Sequence, residues 1–341
     1  MSNNNLDKLA EHIADEVICE HCIRVATEKA AEALANALAK NAEEWPAEGA
    51  KPEGQAIEDA PAEPVPWHIA RYGTLDSPER KAHFEKLYNR LARYERPFGD
   101  MLRKHWKQEL AIILSNLKKL GKSIAGIRQK QGDFDDVVDS VLYPKRQMVA
   151  QLSEEAKKIL VYILAKEGQH FLDELDIDVA FDVLNPNVTK WLKGYVPKFS
   201  GKFETASLEK LKSELIAGME AGEGVPKLAK RMRGVFEDWD RQRAIDVAQN
   251  QAIRASSRAA IESYRQSGVV KKKVWLTTTD ELVCDICLSL EGKVIELDEN
   301  YFNLGDEETI GGRKYNFDYE TIEGPPCHNR CRCSVSAWIE E

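Results

Sequence analysis

Apolar residues recur every three or four positions at the start of the chain, which is the spacing of one helix face. The pattern begins at Leu6 and Leu9, continues through an Ala-rich stretch to residue 42, and is ended by Pro46. We therefore predict an amphipathic helix and assign residues 1–44 to it.

The segment 45–66 has no such periodicity and holds five of the thirteen prolines. A segment of this composition buries too little apolar surface to offset the entropy lost on ordering, so we predict a linker. A helix on a linker either docks on a partner or folds back on its own body. The pattern leaves both open.

The chain from residue 67 to residue 270 is rich in Ala, Leu, Lys and Glu, which favour helices. We predict a helical body over 67–270. The helical stretches are 77–95, 100–121, 153–173, 206–219 and 225–266. Turns are predicted where proline interrupts the pattern, at Arg96-Pro97, Tyr143-Pro144, Asn185-Pro186-Asn187 and Val196-Pro197.

The last seventy residues have a different pattern. Short β-prone runs (VWLTTT, KVIEL and CSVSAWI) alternate with Gly- and Pro-containing loops, and five of the seven cysteines lie here. We predict a small α+β domain of short strands and loops at 271–341, with few large apolar residues to form a core of its own. The fold class is therefore mainly α, with a small C-terminal α+β domain.

The net charge of −9 is carried by the N-terminal appendage, because residues 1–66 hold 14 acidic and 5 basic side chains. The remainder is neutral, so overall charge argues for no class of partner. No apolar run reaches the length of a membrane span, and no secretory signal is visible. We expect no membrane contact, no small-molecule substrate, and a protein that stays inside the cell that makes it.

The C-terminal cysteines have the spacing of a zinc site. Cys284 and Cys287 form one Cys-x-x-Cys pair, and His328, Cys331 and Cys333 follow about forty residues later. Two close ligands from each end of a loop are how tetrahedral zinc sites are built. The cofactor expected here is zinc, in a structural site.

Two alternatives to zinc are weaker. Disulfides are rare in a reducing compartment, and seven cysteines is an odd number. Buried, inert thiols do not explain clustering beside a histidine, although they are the better interpretation of Cys19 and Cys22 in the N-terminal helix.

Catalytic zinc motifs are absent from this sequence. Nucleic-acid deaminases need Pro-Cys-x-x-Cys and a Glu near the first ligand, whereas Cys327 is separated from Cys331 by three residues. A His-Asn-His nuclease needs a second histidine, and His328 is the only one after His170. We expect a non-enzyme. The alternative is a zinc-dependent nucleic-acid-processing enzyme.

Four runs of this chain resemble the Mu F-like head-morphogenesis family of phage minor head proteins. They are GEGVPKLAKRM (222–232), RAIDVAQNQAIRASSRAAIESY (243–264), VWLTTTDELVCDICLSLEGKV (274–294) and GPPCHNRCRC (324–333). The resemblance covers roughly 205–338. The family usually has Pro-Pro, one residue and then His-Pro, whereas here Cys327 and Asn329 flank His328. Cys327 is therefore an additional thiol, and Cys331, Cys333 or Cys327 completes the site.

The resemblance implies a virion protein present in few copies, in the head interior or at the portal vertex. It implies a role in head morphogenesis or capsid assembly, with the portal and major capsid proteins as partners.

A row of cations suggests a contact with packaged DNA. Arg243, Arg254, Arg258 and Arg265 share one face of the predicted helix 241–266. The row is continued by Lys271, Lys272 and Lys273. Such a row can track the phosphates of double-stranded DNA without sequence preference. The alternative is a solvated face, or pairing with nearby acidic residues. The opposite arc, with Ala244, Ile245, Ala248, Ala252, Ala255 and Ala259, is suited to close helix packing.

Overall fold

The computed structural model describes residues 67–120, 135–281 and 283–339. The predicted helix at 1–44, the linker at 45–66 and the Cys19/Cys22 pair lie outside these residues. The helices are α1 (Trp67–Tyr72), α2 (Pro78–Leu120), α3 (Asp135–Val141), α4 (Lys145–Glu174), α5 (Pro186–Glu220), α6 (Val225–Asp238), α7 (Ala244–Ser267) and α8 (Asp285–Leu290), with a π-helical turn (Trp239–Arg243) before α7.

Two predicted turns are wrong, because α2 continues through Pro97 and α5 continues through Pro197. An internal proline removes one backbone hydrogen bond and costs roughly 3 kcal/mol. Packing offsets this cost, since Phe98 is fully buried and its ring lies 5.9 Å from that of Phe199 on the other helix.

The other proline-containing turns are confirmed. Pro144 directly precedes α4, and Pro186 occupies the first turn of α5. The Asn185 side chain caps α5 by accepting a hydrogen bond from the backbone N–H of Asn187 at 3.0 Å. At the end of α7, Gly268 adopts a left-handed φ of 71°, as is common where a helix ends.

Helix α7 lies against both α2 and α4. The face predicted to pack closely is buried at its alanines, and Ile245 is the exception at 51% exposed. The buried alanines are Ala244, Ala248, Ala252, Ala255 and Ala259. Small side chains here let the helix axes approach, so α7 forms the centre of the helical part.

Within residues 67–120, 135–281 and 283–339, five strands form two antiparallel sheets. The three-stranded sheet has the order β2-β1-β5, and the two-stranded sheet pairs β3 with β4. The strands are β1 (Lys272–Leu276), β2 (Val294–Glu296), β3 (Glu307–Ile310), β4 (Arg313–Asn316) and β5 (Ser334–Trp338). In the central pairing Trp275 lies opposite Val335, and Leu276 lies opposite Ser334. Strand β1 is therefore held between a near and a distant segment of the chain.

In the part of the chain that the structure describes, the apolar core divides into three clusters. The largest fills the helical part and includes Val274 and Leu276 of β1, whereas Trp275 between them belongs to a separate C-terminal cluster. A third cluster joins α4 and α7 to the sheet through Phe171 and Val335, among others. The division at residue 270 into a body and a C-terminal domain stays a prediction, because apolar contacts cross it.

One buried ion pair also crosses this junction. Arg80 in α2 is 1% exposed, and its guanidinium lies 2.9 Å from Glu291 at the end of α8. The same guanidinium donates to the carbonyls of Tyr72, Gly73 and Thr277.

The predicted fold class is confirmed: the chain is mainly helical, with a few short antiparallel strands towards the C-terminus. Among the described residues, no helix has both the length and the apolarity needed to cross a membrane.

Candidate metal centre

The Cys-x-x-Cys pair brackets the first turn of α8. Cys284 caps the helix, and its carbonyl accepts a hydrogen bond from the N–H of Leu288 at 3.0 Å. Cys287 lies in the first turn and is 2% exposed. This turn presents both thiols to the same loop.

That loop contains residues 327–333 and is fixed to the helical part. Its turn is closed by the N–H of Cys331 donating to the carbonyl of His328 at 3.2 Å, with Arg330 in a left-handed conformation at φ 63°. Arg330 pairs with Asp246 of α7 at 2.8 Å. The loop conformation is therefore set by α7 as well as by its own sequence.

Four donor atoms lie within 4.8 Å of one another, and they belong to Cys287, Cys327, His328 and Cys331. The Cys287 Sγ lies 3.7 Å from the Sγ of Cys327 and 3.7 Å from that of Cys331. Its distance to the His328 Nε2 is 3.3 Å. A disulfide is excluded at these separations, because its sulfurs lie about 2.05 Å apart.

These separations fit a tetrahedral ion. With Zn–S bonds of about 2.3 Å, neighbouring sulfurs lie ~3.7 Å apart, which is the spacing that the two sulfur pairs already have. The five cysteines that the structure describes are all free thiols. The residues present therefore fit zinc.

Three of the predicted ligands, Cys287, His328 and Cys331, belong to this group of four. Cys284, also predicted as a ligand, lies 3.0 Å from the His328 Nε2. Cys327, the additional thiol, belongs to the group instead. Its carbonyl accepts a hydrogen bond from the Tyr319 hydroxyl, a contact that sequence spacing alone does not reveal.

Cys333 is buried beside the same group and 1% exposed. The region thus holds five thiols and one imidazole, which is more than the four ligands that a structural zinc ion takes.

The histidine is oriented for binding through Nε2. Its Nδ1 lies 2.7 Å from the backbone carbonyl of Asn329, to which it donates when protonated. A carbonyl partner on one ring nitrogen fixes the tautomer and leaves the other nitrogen free to bind a metal ion.

The pKa values of the clustered thiols are shifted in opposite directions. A hydrogen bond from Cys287 lowers the pKa of Cys284 to about 4 against the effect of burial, and His328 adds to the lowering. The pKa of Cys287 is raised, first by its hydrogen bond to Cys284. The pKa of Cys331 is lowered, first by a hydrogen bond from Cys287. Several buried thiolates repel one another, and a bound cation removes this repulsion.

The side chains of the predicted row of cations lie in different environments. The Arg243 guanidinium lies 4.4 Å from the centre of the Phe203 ring and 4.6 Å from that of Trp239, and burial lowers its pKa. Lys273 is 1% exposed and donates to the carbonyls of Leu297 and Glu299. Neither side chain is placed to contact a phosphate.

The remaining arginines line a cleft of about 550 Å³ between α5, α7 and the loop at 320–325. All three pair with carboxylates, which was the alternative considered for them. Arg254 pairs with Glu320, Arg258 with Glu262 and Glu323, and Arg265 with Glu262 and Asp298. Lys271 donates to the carbonyl of Gly268, and Lys272 lies 4.0 Å from Glu296. Binding of DNA by this face stays a prediction.

The fold and this site define a largely helical protein with a thiol-rich cluster, after the last long helix, whose side chains could hold a metal ion. Residues 209–336 match the family model described as Phage Mu protein F like protein, which confirms the resemblance found in the sequence.

Over 170 residues the chain is 26% identical to a Bacillus subtilis (strain 168) protein described as "Uncharacterized protein YqbB". The match covers 49% of this chain and 55% of that protein, so the chain spans about half the length of this relative. No solved structure matches the chain.

Proposed function

We propose that this chain is a minor head protein that acts in phage head morphogenesis, with zinc holding its C-terminal module rigid. The family match over 209–336 carries the proposal, because it indicates a phage head-morphogenesis protein and implies association with the virion. The helical part would engage the portal or the inner face of the capsid shell. The module would act as a clasp.

A structural role for zinc is supported by the number of donors. A catalytic zinc ion keeps one position open for water or substrate, whereas a structural ion is enclosed by four protein ligands. Here five thiols and one imidazole surround the position, and Cys287, Cys327, Cys331 and Cys333 are each 2% exposed or less. This surplus favours a non-enzyme over a zinc-dependent nucleic-acid-processing enzyme.

The zinc ion would fasten segments that are distant in the chain. Cys287 comes from α8, and Cys331 comes from the loop before β5. Both belong to the C-terminal apolar cluster, together with Trp275 and Phe317. An ion bound here would contribute folding free energy to the module, because ligands this far apart in sequence meet only in the folded state.

The test is zinc content and head incorporation in Cys287→Ser, with Cys22→Ser as the matched control outside the module. We expect Cys287→Ser to hold one zinc ion fewer per chain than the wild type and the control, and to fail to enter heads. X-ray absorption should show sulfur and nitrogen ligands without water. A water ligand would favour the enzyme, and normal incorporation of Cys287→Ser would refute the clasp.

Within this proposal, the partners are the portal and major capsid proteins, and packaged DNA is a non-specific contact of the arginine-lined cleft. If the cleft binds DNA, log affinity falls with log salt with a slope of about −0.9 per neutralised phosphate. Glu320→Gln, which frees Arg254 from its partner, should raise the affinity and steepen the slope. A flat salt dependence in both proteins would exclude the contact.

A further inference from the structure

A second group of metal-ligand side chains lies inside the helical part, far from the cysteines in sequence. His105 and Glu109 lie one turn apart on α2, and Glu204 comes from α5. All three side chains are 0% exposed, and their donor atoms lie within 4.8 Å of one another. The His105 Nε2 lies 2.7 Å from Glu204 Oε1 and 3.3 Å from Glu109 Oε1.

The hydrogen bonds available to this group are incomplete. Among the described residues, neither oxygen of Glu109 has a hydrogen-bond partner, and the same is true of Glu204 Oε2 and His105 Nδ1. Against the effect of burial, Glu109 and Glu204 raise the pKa of His105 to about 9, so its imidazolium balances one carboxylate charge. The second buried carboxylate has no cation, which costs several kcal/mol. The protein satisfies such a group elsewhere: the equally buried Glu167 accepts from Arg90, Tyr94 and Ser256.

The Tyr143 hydroxyl is a separate indication of a missing ligand. Tyr143 is 4% exposed, and its hydroxyl has no hydrogen-bond partner among the described residues. Burial first, and then the charges of Glu109 and Glu204, raise its pKa, so the phenol lies beside both carboxylates. A buried polar atom directed at unsatisfied oxygens is expected where an ion or a water belongs.

The neighbouring cation does not fill this position. Arg243 is influenced by the charges of Glu109 and Glu204, but its guanidinium donates to the carbonyl of Phe203 at 3.2 Å. No ion pair joins it to either carboxylate in the described part of the chain.

We propose that His105, Glu109 and Glu204 bind a divalent transition-metal ion, with the Tyr143 hydroxyl directed at the ion or at a water on it. One imidazole and two carboxylates are donors suited to Mn²⁺, Fe²⁺ or Zn²⁺. Donors around such an ion, with bonds of ~2.1 Å, lie about 3.0–3.4 Å apart. The present separations of 2.7 and 3.3 Å reach this spacing with movements of a few tenths of an ångström.

An entry path adjoins the site. A surface cleft of about 280 Å³ is lined by Tyr143 and by Thr205, the residue after Glu204. Asp139, Glu209, Lys145 and Lys212 also line this cleft, so its acidic and basic side chains balance. Rotation of the Tyr143 ring would open the way inward.

Mn²⁺ is the selective probe, because a thiolate-rich site binds it weakly whereas an oxygen-rich site accepts it. Full-length protein expressed with Mn²⁺ and equilibrated by dialysis should retain one equivalent, seen by electron paramagnetic resonance and by elemental analysis. Binding should also raise the melting temperature. The proposal would be overturned if the wild-type protein retained no Mn²⁺, Fe²⁺ or Zn²⁺ apart from the ion at the cysteine cluster, which the Cys287→Ser substitution removes.

The variant Glu109→Gln separates a metal site from a proton-sharing cluster. The substitution keeps the shape of the side chain and removes a buried charge, so the metal-free variant should melt at or above the melting temperature of the wild type. Its Mn²⁺ affinity should fall at least ~100-fold, which exceeds the loss expected when only a hydrogen-bond partner of a ligand is removed. Glu204→Gln should lose binding as well. The control is Glu167→Gln, another buried carboxylate on the same bundle, which should melt lower and still bind Mn²⁺. Equal Mn²⁺ affinity in Glu109→Gln and the wild type would refute the site.

Discussion

The ion pair between Arg80 and Glu291 offers a direct test of how firmly the C-terminal part is joined to the helices. In Arg80→Ala, Glu291 keeps one hydrogen bond, from the backbone N–H of Thr277 at 2.7 Å, but loses its cation. The carbonyls of Tyr72 and Gly73 lose their guanidinium donors as well.

The magnitude follows from burial. Removing one partner of a buried ion pair costs roughly 3–5 kcal/mol, because the other charge is left without compensation. The Glu291 side chain is 22% exposed, so water relieves part of this cost. We therefore expect Arg80→Ala to lower the free energy of unfolding by about 3 kcal/mol.

The control is Arg103→Ala, which removes an arginine from the same helix. Arg103 pairs with Asp240 at 2.9 Å, but the two side chains are 32% and 56% exposed. Exposed pairs contribute about 0–1 kcal/mol. Urea unfolding followed by circular dichroism and by tryptophan fluorescence measures both variants. A loss below 1 kcal/mol in Arg80→Ala, equal to that in the control, would refute the reasoning.

Three further predictions follow from other parts of the chain. Because six donors exceed four ligand positions, Cys284→Ser and Cys327→Ser should each retain zinc, and the double variant, left with four donors, should retain it more weakly; Cys287 differs because its sulfur contacts Cys327, His328 and Cys331. Loss in either single variant, measured as zinc per chain, would show that no surplus exists. Gly168→Ala would place a Cβ 2.5 Å from the Phe181 ring and should lower the free energy of unfolding by about 1–3 kcal/mol. At Gly201 a Cβ would meet no atom within 4 Å apart from its own helix backbone and chain neighbours, so Gly201→Ala should raise the free energy of unfolding by up to ~1 kcal/mol. Thermal unfolding measures both variants. Burial lowers the pKa of Lys273 to about 8 from 10.5, so the unfolded chain binds more protons between these values and stability rises with pH there. The free energy of unfolding of the wild type, relative to Lys273→Met, should therefore increase by about 2 kcal/mol between pH 8 and pH 10, and a constant difference would contradict a buried lysine.

Much of the helical part was predictable, because the periodic apolar pattern and the proline at helix starts are local signals. The continuation of α2 through Pro97 was not, since it depends on the burial of Phe98 against α5. The ion-pair partners of the α7 arginines could not be predicted from the sequence either. Glu320 and Glu323 oppose the arginines of α7 only after the C-terminal loops fold back onto that helix.

The metal centre was predictable as a cluster, because cysteine spacing is local, but its ligand set was not. Which thiols converge depends on the turn at His328 and on the contact of the loop with α7. The expected lack of a core was wrong: Tyr301, Phe302 and Phe317 come from loops without periodicity and pack around the cysteines. Nor did the sequence indicate the cluster at His105, because Glu204 approaches it only through the packing of α2 on α5.

The pairing of β1 with β5 links the register of these strands to the convergence of the thiols. Successive residues of a strand face opposite sides, so a shift of one residue in this ladder would turn Cys333 and Val335 away from Trp275. The thiols would then fail to meet, and they would stay open to alkylating reagents. Protection of the thiols from alkylation therefore reports the register of β1 on β5, and only molecules with the correct register would bind the metal ion.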